Sequence, residues 1–194
     1  MSMNYRLSVL VLVCLTSVGC FTLNPPTGIV PGVTTYDEMI EFYGSPHGTN
    51  TLTMNDEEVN LIDYFVYSSQ RDVFRDVSPN KELAIYFMNN IVVGYKFTSS
   101  YTKDSTKYRV ANIDNIKKGE TTCDQVKEKF GTPYGAYIYP MIENKEEKAM
   151  VYWYTETKGN HFSGFTQHIK ELVLPYNDKG VITEVIYTSS KKDL

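Results

Sequence analysis

A fifteen-residue motif occurs twice in this chain, and no other feature of the sequence limits its fold as strongly. Residues 32–46 read GVTTYDEMIEFYGSP, and residues 119–133, 87 positions on, read GETTCDQVKEKFGTP. Seven of the fifteen positions are identical, where ordinary residue frequencies give about one. Half of the remaining differences keep the chemistry, as in Met39 with Val126 and Tyr43 with Phe130. The chain therefore reads as a tandem duplication.

Each copy carries the signals of a short capped helix. Thr34 and Thr121 are candidate N-caps, with Asp37 and Asp124 three residues on in capping-box position and well placed for the helix dipole. Tyr36, Met39, Ile40 and Tyr43, and in the second copy Cys123, Val126 and Phe130, recur at helical spacing as one apolar stripe. Gly44 and Gly131 suit a left-handed position after the last turn, and Pro46 and Pro133 prevent continuation.

Strand-like runs follow each helix, at 62–68, 82–87 and 91–100 in the first copy and at 150–156, 169–174 and 181–190 in the second. The turns at 88–90 and 177–180 have hairpin chemistry, so the last two strands of each copy should be antiparallel neighbours. The expected class is α+β: two tandem repeats, each a short helical segment packed on a small antiparallel β-meander. In the last run Val181, Val185 and Tyr187 alternate with Ile182 and Ile186, so both faces carry apolar groups and one should be covered by the other repeat or by a partner.

The chain opens differently. Arg6 is the only charge before Asp37, and residues 7–18 are almost wholly apolar. Twelve residues of helix rise only about 18 Å, short of a hydrocarbon core of roughly 30 Å, which favours a cleaved signal segment over a membrane span. The run ends Ser17-Val18-Gly19-Cys20 and resembles the lipobox of bacterial lipoproteins. That resemblance implies a diacylglyceryl thioether on Cys20, cleavage after Gly19 and N-acylation, and several acyl chains anchor stably where one is marginal. Residues 21–32, rich in Pro and Gly, read as a semi-extended tether of at most some 35 Å. The organisation expected is a signal peptide at 1–19, lipidated Cys20 and tether at 20–32, a first repeat at 33–101, a linker at 102–115 and a second repeat at 116–190.

The second copy resembles the SmpA/OmlA, or BamE-like, family of outer-membrane lipoproteins. The resemblance rests on 116–121 (IKKGET), Val126, 130–133 (FGTP), Trp153-Tyr154 and 180–185 (GVITEV), with a weaker version at 30–34 (VPGVT) and 43–46 (YGSP). Two copies in tandem look like the architecture of β-lactamase-inhibitor proteins, whose paired units join their sheets into a concave surface. The resemblance implies a non-enzymatic envelope lipoprotein, anchored on the periplasmic face of the outer membrane, that binds envelope proteins. An inner-membrane or cell-surface lipoprotein is the alternative placement. An inhibitor-like module using a joined sheet, or a purely structural lipoprotein, is the alternative function.

Little in the sequence points to catalysis. His47, His161 and His168 lack zinc-ligand spacing, and no GxSxG, HExxH, Walker A or GxGxxG motif occurs. No metal or cofactor is expected. The formal charge of −4, becoming −5 once Arg6 is cleaved away, argues against nucleic acid as a partner. With Cys20 lipidated, Cys123 is left without a disulfide partner and reads as a small core residue. The 16 tyrosines are the compositional surplus. Tyr134, Tyr137 and Tyr139, clustered after the second helix, together with Trp153, are the candidate partner-binding residues; filling gaps between loop and sheet is their alternative role.

Overall fold

The computed structural model describes residues 22–67, 77–160 and 164–193. The signal segment, Cys20 and His161 lie outside them. Nine strands form one antiparallel sheet: β1 (Gly48–Met54), β2 (Glu57–Tyr67), β3 (Val77–Ser78), β4 (Asn80–Met88), β5 (Ile91–Ser99), β6 (Gly135–Tyr137), β7 (Lys148–Asn160), β8 (Gly164–Tyr176) and β9 (Ile186–Asp193). The order is β1-β2-β4-β5-β6-β7-β8-β9, with β3 paired to β7. Among the described residues helix is confined to α1 (Tyr36–Tyr43), α2 (Cys123–Phe130) and a 3-10 turn at Val110–Asn115.

This overturns the expected α+β class of two tandem repeats, each a short helix packed on its own small meander. The protein is a single, mostly β structure in which the helices are two-turn accessories. The joint is β6, which falls in what the sequence suggested was the loop after α2. It pairs with β5 through Gly94 and with β7 through Tyr137. Two glycines permit this approach: a Cβ on Gly135 would stand 2.8 Å from the Tyr95 carbonyl oxygen, and one on Gly94 would stand 2.6 Å from the Tyr137 ring. Where β6 ends, side chains continue the seam. The Thr98 hydroxyl accepts from Thr155 N (2.9 Å), Asn80 Nδ2 donates to Thr155 Oγ1 (3.0 Å), and Thr106 Oγ1 donates to the Trp153 carbonyl (2.8 Å). Within 102–115, Tyr108 is buried in the core beside α2.

The last run also differs from expectation. Val181 and Ile182 make only isolated bridges, to Thr122 and Tyr176, and the regular strand begins at Ile186. Residues 22–32 are docked rather than extended into solvent, because Leu23 and Ile29 are buried in the cluster that holds Met39 of α1.

Both helices are built alike. The caps sit one residue later than expected, at Thr35 and Thr122, and Glu38 and Gln125 close the boxes in place of Asp37 and Asp124. Thr34 and Thr121 are occupied elsewhere, accepting from Val30 N (2.9 Å) and Lys117 N (2.8 Å) to close the preceding turn. Thr35→Ala and Thr122→Ala should each cost about 1 kcal/mol, read as a lowered urea midpoint. An equal loss in Asp37→Ala or Asp124→Ala would contradict this capping geometry. At the other end Gly44 and Gly131 adopt φ of 77° and 83°. Tyr64 and Tyr152 reach from the sheet to donate to the Gly44 and Gly131 carbonyls, at 2.8 and 2.9 Å. Carbonyls left open by the helix end are thereby satisfied.

Strand alternation divides the core into layers. On the helix side, Ile62, Tyr64, Leu83 and Ile85 pack under α1, and Met150, Tyr152, Leu172 and Leu174 pack under α2. On the opposite, helix-free face a single cluster spans both halves and includes Val59, Ala84, Tyr86, Val151, Trp153 and Val173.

Candidate protein-binding face

The helix-free face is built by the strand positions of opposite parity to those under the helices. The loop after β6 crosses it, placing Ile138, Met141 and Ile142 in its apolar cluster. Tyr139 pins that loop to the β1–β2 turn, its hydroxyl donating to the Asn55 carbonyl (3.3 Å) and Glu57 Oε1 (3.2 Å), while Asn55 Nδ2 donates to the Pro140 carbonyl (2.9 Å). Lys145 Nζ stands 4.4 Å from the centre of the Tyr139 ring.

A charged network lies within this apolar layer. Lys96 of β5 donates to both carboxylate oxygens of Glu171 on β8, each at 3.1 Å, and its ammonium stands 4.6 Å from the Trp153 ring centre. The Tyr137 hydroxyl donates to Glu171 Oε1 at 2.8 Å, and the Tyr137 ring meets Tyr86 edge-on at 5.7 Å. Burial works against the Lys96 charge, but Tyr86 and Glu171 outweigh it and the ammonium pKa is raised. The Lys96 and Glu171 side chains are 14 % and 20 % exposed. The network is closed on itself and joins the two halves of the sheet.

Along the same face toward β2 the character changes. Asp63 and Lys96 both pair across strands with Ala84, and Glu82 pairs with Phe65 and Thr98. Burial pushes Glu82 up to about 7, with Asp63 adding repulsion and Lys96 opposing it. Burial raises Asp63 as well. Beyond these acids Phe65 and Tyr67 point the same way, two residues apart, and are 39 % and 58 % exposed. Their ring centres are 5.4 Å apart, and the His47 ring lies 4.5 Å from Phe65. The Phe65 N–H donates to His47 Nδ1 at 3.1 Å, which holds the imidazole against the strand.

The four residues singled out from sequence do not share one exposed surface. Tyr137 and Trp153 are 4 % and 6 % exposed inside the helix-free cluster. Tyr139 is the half-buried loop pin, and Tyr134 is on the other side of the sheet, edge-on to Phe97 at 6.2 Å. What sequence reasoning missed is the pairing of Phe65 with Tyr67 in one strip. Its signal is present in 62–67, IDYFVY, where both strand parities carry apolar side chains although only one can lie under α1.

Cys123 is half-buried and lines a cleft of about 510 Å³ beside α2 with Tyr95, Lys127 and Tyr176. Burial raises its thiol pKa, which disfavours the thiolate. Among the described residues no group of three His, Cys, Asp or Glu is placed to hold a metal ion, and no helix is long and apolar enough to cross a membrane.

No family model and no curated protein matches the chain. Among solved structures, a protein from Streptococcus mutans described as a putative beta-lactamase inhibitor protein aligns with 80 % of this chain and 82 % of its own, at 13 % identity and a TM-score of 0.40. The SmpA/OmlA resemblance thus has no counterpart among the family models.

Proposed function

We propose that the protein is a lipid-anchored binding module of the bacterial envelope, which holds a partner protein on the aromatic strip Phe65–Tyr67 of its helix-free face. The carrying observation is that strip. The aromatic side chains of the helix-free cluster, Tyr86, Tyr137 and Trp153, are spent on packing and on the Lys96–Glu171 network, whereas these two stay open to solvent beside two acids. Exposed aromatics rimmed by polar groups are the usual anchors of protein interfaces. Asp63 and Glu82 beside them favour a partner segment that brings Lys or Arg, which can also stack on the rings. The lipobox-like sequence ending at Cys20 supports the anchor.

A photoreactive side chain at position 65, introduced in cells, should give a protein adduct of one discrete size. Tyr67→Glu should weaken that adduct about thirtyfold, the scale of losing about 2 kcal/mol at an interface centre. Failure to form any protein adduct at 65 would remove the strip as a binding site.

A further inference from the structure

The protein presents a second apolar surface, on the side of the sheet opposite Phe65 and Tyr67. Phe42, on α1 but off its buried stripe, is 72 % exposed. Val30 and Val33, at the ends of a turn in which Val33 N donates to the Val30 carbonyl (3.1 Å), are 50 % and 68 % exposed. The turn and the helix are joined by a shallow cleft of about 230 Å³ whose walls include Ile29, Thr34, Glu38 and Phe42. Three large apolar side chains thus stand open around the point where the N-terminal segment meets α1.

We propose that this surface rests on the lipid bilayer. The inference deepens the anchored reading above and depends on it. Its basis is the short leash between anchor and body. Leu23 is 1 % exposed, buried in the cluster that also contains Met39 of α1. Cys20 precedes it by three residues, a reach of about 11 Å at full extension. Acyl chains on Cys20 therefore hold the bilayer within about one helix diameter of the α1 side, and Val30, Val33 and Phe42 are the apolar side chains exposed there. Charge fixes the type of contact. The first turn of α1 carries Asp37 and Glu38, and its last turn has no basic residue, so α1 offers anionic headgroups nothing to attract them. The contact is apolar, shallow and insensitive to salt. It turns the Phe65–Tyr67 strip away from the membrane, toward the aqueous compartment where a partner can reach it.

Depth quenching tests this. The full chain is produced in cells, extracted with its membrane and reconstituted into phosphatidylcholine vesicles with brominated acyl chains. Wild-type protein, whose single Trp153 is buried on the helix-free face, sets the baseline. Phe42→Trp is expected to float with the vesicles and lose at least half of its added emission, equally at low and high salt, while Phe65→Trp is quenched no more than wild type. Flotation without quenching at 42, or quenching at 65 instead, overturns the inference and leaves the anchored reading intact. Failure to float overturns both. A blue shift of the position-42 tryptophan without vesicles, growing with protein concentration, would give this surface to a second copy of the chain and also overturn the inference.

Discussion

Lys96→Ala should destabilise the protein by about 3–5 kcal/mol, measured as a fall in the urea midpoint and followed through the fluorescence of Trp153 itself. The size follows from burial. With Lys96 gone, the Glu171 carboxylate is left in an apolar layer without its cation partner, the Tyr137 hydroxyl still donating to it, and Trp153 loses the cation above its ring. Leaving one member of a buried pair uncompensated costs far more than the pair contributes relative to apolar residues. The double variant Lys96→Met/Glu171→Leu should therefore recover most of the loss, because both charges leave together and the volume is roughly kept. A cost below about 1 kcal/mol for Lys96→Ala would place this pair with exposed ion pairs and remove it as the fastening between the two halves.

The second large effect concerns pH. Glu82 is moved from 4.5 to about 7, first by burial and then by Asp63. A carboxyl raised on folding is bound to its proton more tightly in the folded state than in the unfolded one. Its stabilising contribution is therefore complete below about pH 4.5 and is lost as pH rises through about 7. The difference is about 3 kcal/mol. Burial raises Asp63 too, which adds a contribution of the same sign. Burial also pushes Glu156 up, but hydrogen bonds to Lys158 and Tyr154 hold it below the usual range, so its loss comes only as pH falls below about 4.5. Urea midpoints at pH 5 and pH 8.5 should thus show wild type more stable at the lower pH. Glu82→Gln should flatten most of that difference by gaining stability at pH 8.5. An unchanged slope in Glu82→Gln would refute the role given to this residue.

Sequence and structure agree where a decision is local. Both helices lie within a residue of where caps, stripe and terminal glycines put them, because those signals act over four residues or fewer. The turn at 88–90 was legible from Asn89 and Asn90, which take φ of 51° and 67°. The same chemistry stood unread at Asn55-Asp56, with φ of 47° and 64°. It turns β1 onto β2, and the Thr- and Asn-rich β1, with only Leu52 and Met54 apolar, offered too short an alternation to mark it as a strand. What was not legible is non-local. Three residues of β6 join the sheets through glycines whose value lies in what they fail to place near Tyr95 and Tyr137, and periodicity carries no trace of that. The site divides in the same way. Tyrosine suits an interface and a hydrogen-bonded core equally, so clustering at 134, 137 and 139 could not reveal that Tyr137 serves Glu171 while Tyr139 serves a loop.

The seam at β6 also governs how the chain can be divided. β6, from the later part of the sequence, lines the edge of β5, while β3, from the earlier part, crosses to the edge of β7. Each part lends a strand to the other. A break anywhere in 102–115 leaves β3 without β7 in one fragment and takes β5 from one side of β6 in the other, where β7 alone remains, so hydrogen-bonding edges are uncovered in both. The two fragments are complementary pieces of one sheet.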